Sequence, residues 1–198
     1  MMPLLTIMIP TTPDRQNLFD ELMKELHRQK ASLPEPSEVQ ILWAIDNKEI
    51  SVGAKRQWLL ENAKGEFVVG IDSDDWVDEC YMMQILNAIK RYPKIDHVGF
   101  LEHCTIDGKE SLSIFSSSHL KWEENAHGYD HVRCANPKSV IRRSVALQVG
   151  FKDVRYGEDR IFSESVTPLV KSEVFIDKIL YYYRHESTPH HERFGITE

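Results

Sequence analysis

Cysteine is scarce in this chain, with Cys80, Cys104 and Cys134 far apart and odd in number. That pattern excludes a disulfide scaffold and a closely spaced zinc knuckle, and a reducing, cytoplasmic setting is the expectation. Positive charge is also short: Lys and Arg number 24 against 31 Asp and Glu, for a formal net charge of -7. General attraction to a phosphate backbone is therefore lacking, although a local basic pocket is compatible with it. No run approaches the roughly 18 apolar residues of a membrane-spanning helix. The apolar start, MMPLLTIMIP, lacks a basic opening and a cleavage site and meets Pro10 and Pro13 at once, so it reads as a buried strand and not an export signal. Neither Gly-x-x-x-x-Gly-Lys nor Gly-x-Gly-x-x-Gly occurs, which leaves P-loop chemistry and dinucleotide-dependent hydride transfer without support. Internal repeats and low-complexity tracts are absent as well.

What is present reads as one domain of 198 residues. Leu4 to Ile9 is apolar enough for a buried strand, and TTPDR turns into a helix over 14–29 with Leu18, Leu22 and Leu26 at helical spacing. SLPEPSE is a loop, VQILWAID a second strand, and VGAKRQWLLENA a second helix closed by Gly65. A third strand over 67–71 and a helix over 78–92 follow. Three strand-then-helix units argue for a parallel sheet covered on both faces, with ligands beyond the carboxyl ends of its strands. That rule selects the loops 10–15, 46–56 and 72–75. In the second half, an IDGKE turn between apolar runs predicts antiparallel strands, SSSHLKWEENAHGYDH reads as loop-rich, PKSVIRRSVALQVGF as a short strand and helix, EDRIFSESVTPLV as a helix, and SEVFIDKILYYYRH as the last strand.

The third strand runs into IDSDD, three carboxylates in four positions. Carboxylates this close repel one another unless a cation, a hydroxyl or backbone N–H groups compensate. Oxygen ligands of this kind suit Mg2+ or Mn2+ with substrate phosphates completing the shell; the alternative is a helix cap with the remaining carboxylates facing water.

LTIMIPTTPDR, GAKRQWLLENAKGEFVVGIDSDD and GEDRIFSE occur in an order that resembles the family-two inverting glycosyltransferases. The resemblance spans about residues 4–90 and, more loosely, 133–187. It implies an α/β, A-type glycosyltransferase fold: a Rossmann-like, mainly parallel central sheet flanked by helices, with a small antiparallel part in the second half. It also implies a nucleotide-binding half over 1–92, an acceptor and catalytic half over 93–183, and a tail or lid over 184–198. Pro10, Thr11 and Arg15 would line the nucleotide pocket, Asp46 would approach base or ribose, and Arg56, with Lys55 beside it, would match the family's Gly-x-x-Arg stretch. Asp72 would approach the ribose, Asp74 would hold Mn2+ or Mg2+ at the diphosphate, and Asp75 would support Asp74 or cap the helix.

By the same resemblance Asp159 is the base that takes the acceptor proton, and Glu158 binds acceptor or donor sugar. Arg184 and His185, followed by Ser187, resemble a segment that closes over metal and diphosphate, with His185 a metal ligand, although the spacing departs by one residue. Each residue also has a plainer reading: Arg15 and Arg56 as solvated helix charges, Asp46 as an Asx turn, Thr11 as a cap, and Glu158 and Asp159 as acidic residues at a helix start. The implied reaction transfers a sugar from a nucleotide-diphosphate donor, with uridine the expected nucleotide, to an acceptor hydroxyl on a glycan, lipid, protein or modified nucleic acid. A nucleotidyltransferase and a non-catalytic nucleotide-sugar-binding module are the alternatives. Trp122, His127, Tyr129 and His131 mark where an acceptor would lie.

Overall fold

The computed structural model describes residues 2–185. Strand β1 (Leu5–Thr11) is buried at all seven positions, as its uninterrupted apolar run requires. Its alternate side chains divide between two cores. Leu5, Ile7 and Ile9 pack with Phe19, Leu22 and Leu26 of helix α1 (Gln16–Ala31) and with Met82, Ile85 and Ile89 of α3 (Tyr81–Arg91). Met8 faces the opposite cluster, which takes Leu59 and Leu60 of α2 (Val52–Asn62), Val145 of α4 (Arg143–Val149) and Phe162 of α5 (Glu158–Val166). The sheet is thus covered on both faces.

β1 pairs in parallel with β2 (Val39–Ile45) and β3 (Phe67–Gly70). A two-residue strand, β4 (Trp76–Val77), precedes α3. Beyond β3 the sheet turns antiparallel through β9 (Val140–Arg142) and β5 (His97–Ile106), then continues to β6 (Lys109–Phe115), β8 (Tyr129–Arg133) and β7 (Glu123–Ala126). β10 (Glu173–His185) lies parallel along the whole of β5 and antiparallel to β4. With five antiparallel pairings against four parallel ones, the sheet is mixed and not mainly parallel. The expectation was drawn from the first half, where strand-helix alternation is regular, whereas β5–β6 and β7–β8 are joined by tight turns that impose antiparallel pairing.

Other boundaries move for local reasons. Leu18 is exposed and Phe19 takes the core position, because Pro13–Arg15 forms a 3-10 turn that rotates the start of α1. Much of 116–131, expected as loop-rich, falls in the β7–β8 hairpin, which turns through left-handed Asn125, His127 and Gly128. Gly65 does not close α2, which ends at Asn62. It is needed for contact, since a Cβ there would lie 2.5 Å from the Thr6 amide nitrogen.

The start of β10 is fastened by buried His97, whose Nδ1 lies 2.7 Å from Glu173 Oε2 and whose Nε2 lies 2.7 Å from Ser139 Oγ. Ser116 and Ser117 also donate to the Glu173 carboxylate. Burial alone would raise Glu173, but these partners, His97 foremost, hold it at about 2. Because the folded value lies below the unfolded one, the stabilisation is present above pH ~4.5 and is lost as pH falls toward ~2. Glu173→Gln is therefore expected to cost about 2 kcal/mol at neutral pH, discounted for partial solvent access. In urea titrations between pH 3 and 7 the gap to wild type should narrow below pH ~4.5.

Candidate active site

The parallel arrangement of β1, β2 and β3 brings their carboxyl ends to one side of the sheet, where residues 10–15, 48–52 and 72–74 meet the segment entering α5 and the faces of β5 and β6. Between them lies a cavity of about 880 Å3, a volume in the range of cofactor-sized sites. Pro10, Thr11, Arg15, Arg56, Asp72, Asp74, Glu158, Asp159 and His185 all line it.

Helix α2 connects the two halves of the wall. Its N-cap Ser51 accepts from the Ala54 amide and bonds Asp153 at 2.5 Å. Gly53 lies against the 152–154 backbone so closely that a Cβ would fall 1.9 Å from the Lys152 carbonyl oxygen. Gly53→Ala, favourable in an open helix by roughly 1 kcal/mol, is therefore expected to lower stability by about 1–3 kcal/mol, the range for overpacking. It should also displace Glu158 and Asp159, read as a lower melting temperature together with lost activity.

One turn beyond Gly53, buried Arg56 donates to Asp72 (Nη2 to Oδ1, 2.5 Å) and to Glu158 (Nε to Oε1, 3.2 Å). Burial alone would lower Arg56, but the two carboxylates hold it above its ordinary value. Burial alone would raise Asp72, yet Arg56, with Lys138 and Arg15 behind it, holds it below the usual carboxylate range. Glu158 is raised by burial and by Asp159, against the pull of Arg56.

Asp159 differs from its neighbour. Its carboxylate accepts from the Arg160 amide and has no ion-pair partner among the described residues, so it faces the cavity available to a proton donor. In the acidic turn, Asp72 donates its amide to the Tyr181 hydroxyl. Asp74 pairs with Arg15 at 2.9 Å and is raised by burial, with Asp72 adding to the shift and Arg15 opposing it. Asp75 does not cap α3. It accepts from the Tyr181 hydroxyl (2.6 Å) and the Arg184 amide (3.2 Å) and lies 3.3 Å from Lys138 Nζ. Burial pushes Asp75 up to about 7, against Lys138.

Two expected site residues, Asp46 and Arg184, do not line the cavity. The Asp46 carboxylate is ion-paired with buried Lys55 and accepts from the Ile50 amide. Lys55 also donates to the Thr11 carbonyl at 2.7 Å, so it ties β1 to the loop after β2 and is not a solvated charge. The Arg184 side chain is exposed: strand alternation puts Tyr181, Tyr183 and His185 on one face and Arg184 on the other. Ser187 and the rest of the expected lid, residues 186–198, lie outside the described residues.

Lys138, Glu102 and Tyr183, none singled out in the sequence, also line the cavity. The signal for Tyr183 was the alternation within YYYRH. Lys138 carries no local signal, because its burial depends on carboxylates 36 and 63 residues away in sequence.

The acidic turn gathers three carboxylates, of which Asp74 lines the cavity beside Arg15. Among the described residues no three His, Cys, Asp or Glu side chains converge as ligands. Carboxylate oxygens suit a hard divalent ion that takes most of its shell from phosphates and water, so Asp74 fits such an ion better than a closed protein cage would. His185 stacks on Tyr183 (centroids 6.2 Å apart).

No family model matches the chain. It is 23% identical over 154 residues to glycosyltransferase GlyA of Streptococcus pneumoniae serotype 4, an alignment spanning 71% of this chain and 22% of that protein. Among solved structures it is similar to residues 1–349 of S. aureus TarS in complex with UDP-GlcNAc, with a TM-score of 0.64, 16% identity, and coverage of 95% of this chain and 60% of that one. It is likewise similar to the mannosyltransferase PcManGT of Pyrobaculum calidifontis in complex with GDP-Man and Mn2+, with a TM-score of 0.55, 13% identity, and coverage of 96% and 58%. The chain spans about three fifths of those solved chains and about a fifth of the GlyA relative. The likenesses to the solved structures show a shared α/β fold. No helix among the described residues is long and apolar enough to cross a membrane.

Proposed function

We propose that the chain transfers a sugar, with inversion, from a nucleotide-diphosphate donor to an acceptor hydroxyl. The observation that carries this reading is Arg56, which joins Asp72 of the acidic turn to Glu158 of the segment entering α5 across one cavity. A donor site and a proton-accepting site are thereby held at fixed separation. The glycosyltransferase name of the sequence relative and the nucleotide sugars bound in the two solved relatives support the donor class.

In this reading residues 1–92 supply the donor pocket. Pro10 and Thr11 shape it from the end of β1, the buried Thr11 hydroxyl having no hydrogen-bond partner among the described residues. Arg15 faces the diphosphate, and Asp72 approaches the ribose. Mn2+ or Mg2+, held by Asp74 with the phosphates, would supply charge neutralisation for the leaving group. Residues 93–183 supply the acceptor side. Asp159 accepts the proton of the acceptor hydroxyl as its oxygen bonds to the anomeric carbon and the bond from that carbon to the phosphate oxygen breaks, releasing nucleoside diphosphate. Glu158, fixed by Arg56, orients the sugar. Asp46 acts indirectly, by holding Lys55 under the pocket. Uridine is the expected nucleotide, the protein is expected to work in the cytoplasm, and residues 184–198 are assigned a closing role.

The test is release of nucleoside diphosphate from UDP-, GDP- and TDP-sugars with Mn2+ present. Turnover of one donor supports the reading. Release of pyrophosphate would replace it with nucleotidyl transfer, and donor binding that persists without turnover across an acceptor panel would replace it with a binding module.

A further inference from the structure

Strand β5 and the turn before β9 place a carboxylate and an ammonium side by side in the cavity wall, away from Arg56. Glu102 and Lys138 are both largely buried, and their charged atoms lie 3.3 Å apart. Lys138 Nζ lies another 3.3 Å from Asp75. Both separations exceed the roughly 2.7–2.9 Å of a tight charge-assisted hydrogen bond. The ammonium stands 4.1 Å from the Tyr183 ring centroid and 4.9 Å from that of Tyr181.

The second Glu102 oxygen accepts from the Cys104 thiol at 3.1 Å, and a thiol is a weak donor. Burial pushes that thiol up to about 12, so it keeps its proton. The wall therefore presents a carboxylate with one oxygen on a long bond from Lys138 and the other met only by a weak thiol donor, an ammonium with two long ion pairs and an aromatic ring, all lining the cavity. As a purely structural device this is poor, since a buried ion pair stabilises a fold little or no better than apolar packing of similar volume.

We propose that Glu102, Lys138 and Tyr183 form a subsite that reads the hydroxyls of the donor's hexosyl ring. Glu102 accepts from one ring hydroxyl, Lys138 donates to an adjacent oxygen, and Tyr183 lies against the ring. This rests on the sugar-transfer reading and extends it to residues on β5, β10 and the 134–139 turn. It also accounts for Ser139, which His97 holds from behind: the same contact fixes the turn that carries Lys138.

The experiment is calorimetric titration, with Mn2+, of wild type and Glu102→Gln with UDP and GDP and with UDP-glucose, UDP-GlcNAc and GDP-mannose. The substitution is isosteric and leaves Lys138 its Asp75 partner. In wild type at least one sugar conjugate should bind more tightly than its parent diphosphate. Glu102→Gln should erase about tenfold of that advantage while leaving the parent diphosphate within about twofold, which also reports an intact fold. An unchanged ratio of conjugate to diphosphate affinity, or equal loss of both, would overturn the subsite and leave sugar transfer standing. Failure of wild type to bind any of these ligands would overturn the transferase reading and the subsite with it.

Discussion

Asp159→Asn is expected to slow nucleoside diphosphate release by about 10²–10⁴-fold, the usual contribution of a general base, while donor affinity stays within about threefold. The substitution keeps shape and hydrogen-bonding capacity and removes only the ability to take a proton. Asp159 has no ion-pair partner among the described residues, so no buried cation is stranded, and the variant should melt near the wild-type temperature. Asp74→Ala should behave differently. It removes the carboxylate assigned to the ion and the diphosphate, so the donor Kd should rise at least tenfold and the dependence on Mn2+ should flatten. Equal turnover in Asp159→Asn and wild type would move the base elsewhere, with Glu158 the nearest carboxylate to test.

Arg56→Met is expected to have the largest effect on stability. It leaves Asp72 and Glu158 buried without the guanidinium that bridges them, and removing one partner of a buried pair costs about 3–5 kcal/mol. For a chain of this size that corresponds to a fall in melting temperature of roughly 10 °C at neutral pH. The pH dependence has a definite sign. Wild-type Asp72 is held below its ordinary value, so its stabilising contribution is complete above the unfolded value near 4 and fades as pH falls through the folded one. The variant lacks that contribution and can neutralise both carboxyls by protonation, so its deficit should shrink on acidification. Arg56→Lys should recover only part of the loss, since a point charge cannot reproduce a fork that serves two carboxylates. Melting curves at pH ~3 and at neutral pH test both statements.

The parts legible in the sequence were those whose signal is local. The run from Leu4 to Ile9, the alternation of strand and helix up to α3, and the IDGKE turn each follow from patterns within a few residues. The acidic turn was visible as a cluster of charge, and most of the residues assigned to the donor and base regions do line one cavity. What was not legible depends on partners distant in sequence. Asp46 could not be seen to be occupied by Lys55, nor Asp75 to be bound by Tyr181, because neither pairing has a periodic signature. The mixed sheet was missed because pairing direction is set by which strands meet across the fold, and β9 reaches β3 only after more than seventy residues. Lys138 was missed for the same reason: a lysine after proline in a turn looks solvated until its carboxylates are brought around it.

The position of β10 also bears on how the protein is made. β10 is the last strand described, yet it lies along the full length of β5 and contributes Tyr181 to the acidic turn. As the chain leaves the ribosome, β1, β2, β3 and their helices can assemble early, whereas one edge of β5 stays open until residue 185 has been synthesised. Through that interval the turn of Asp72, Asp74 and Asp75 lacks the hydroxyl that orders it, and an unpaired strand edge invites association with other chains. A stall or a stop codon before Glu173 should thus yield a product that aggregates and cannot assemble its site, even though every carboxylate from Asp72 to Asp159 has already been translated.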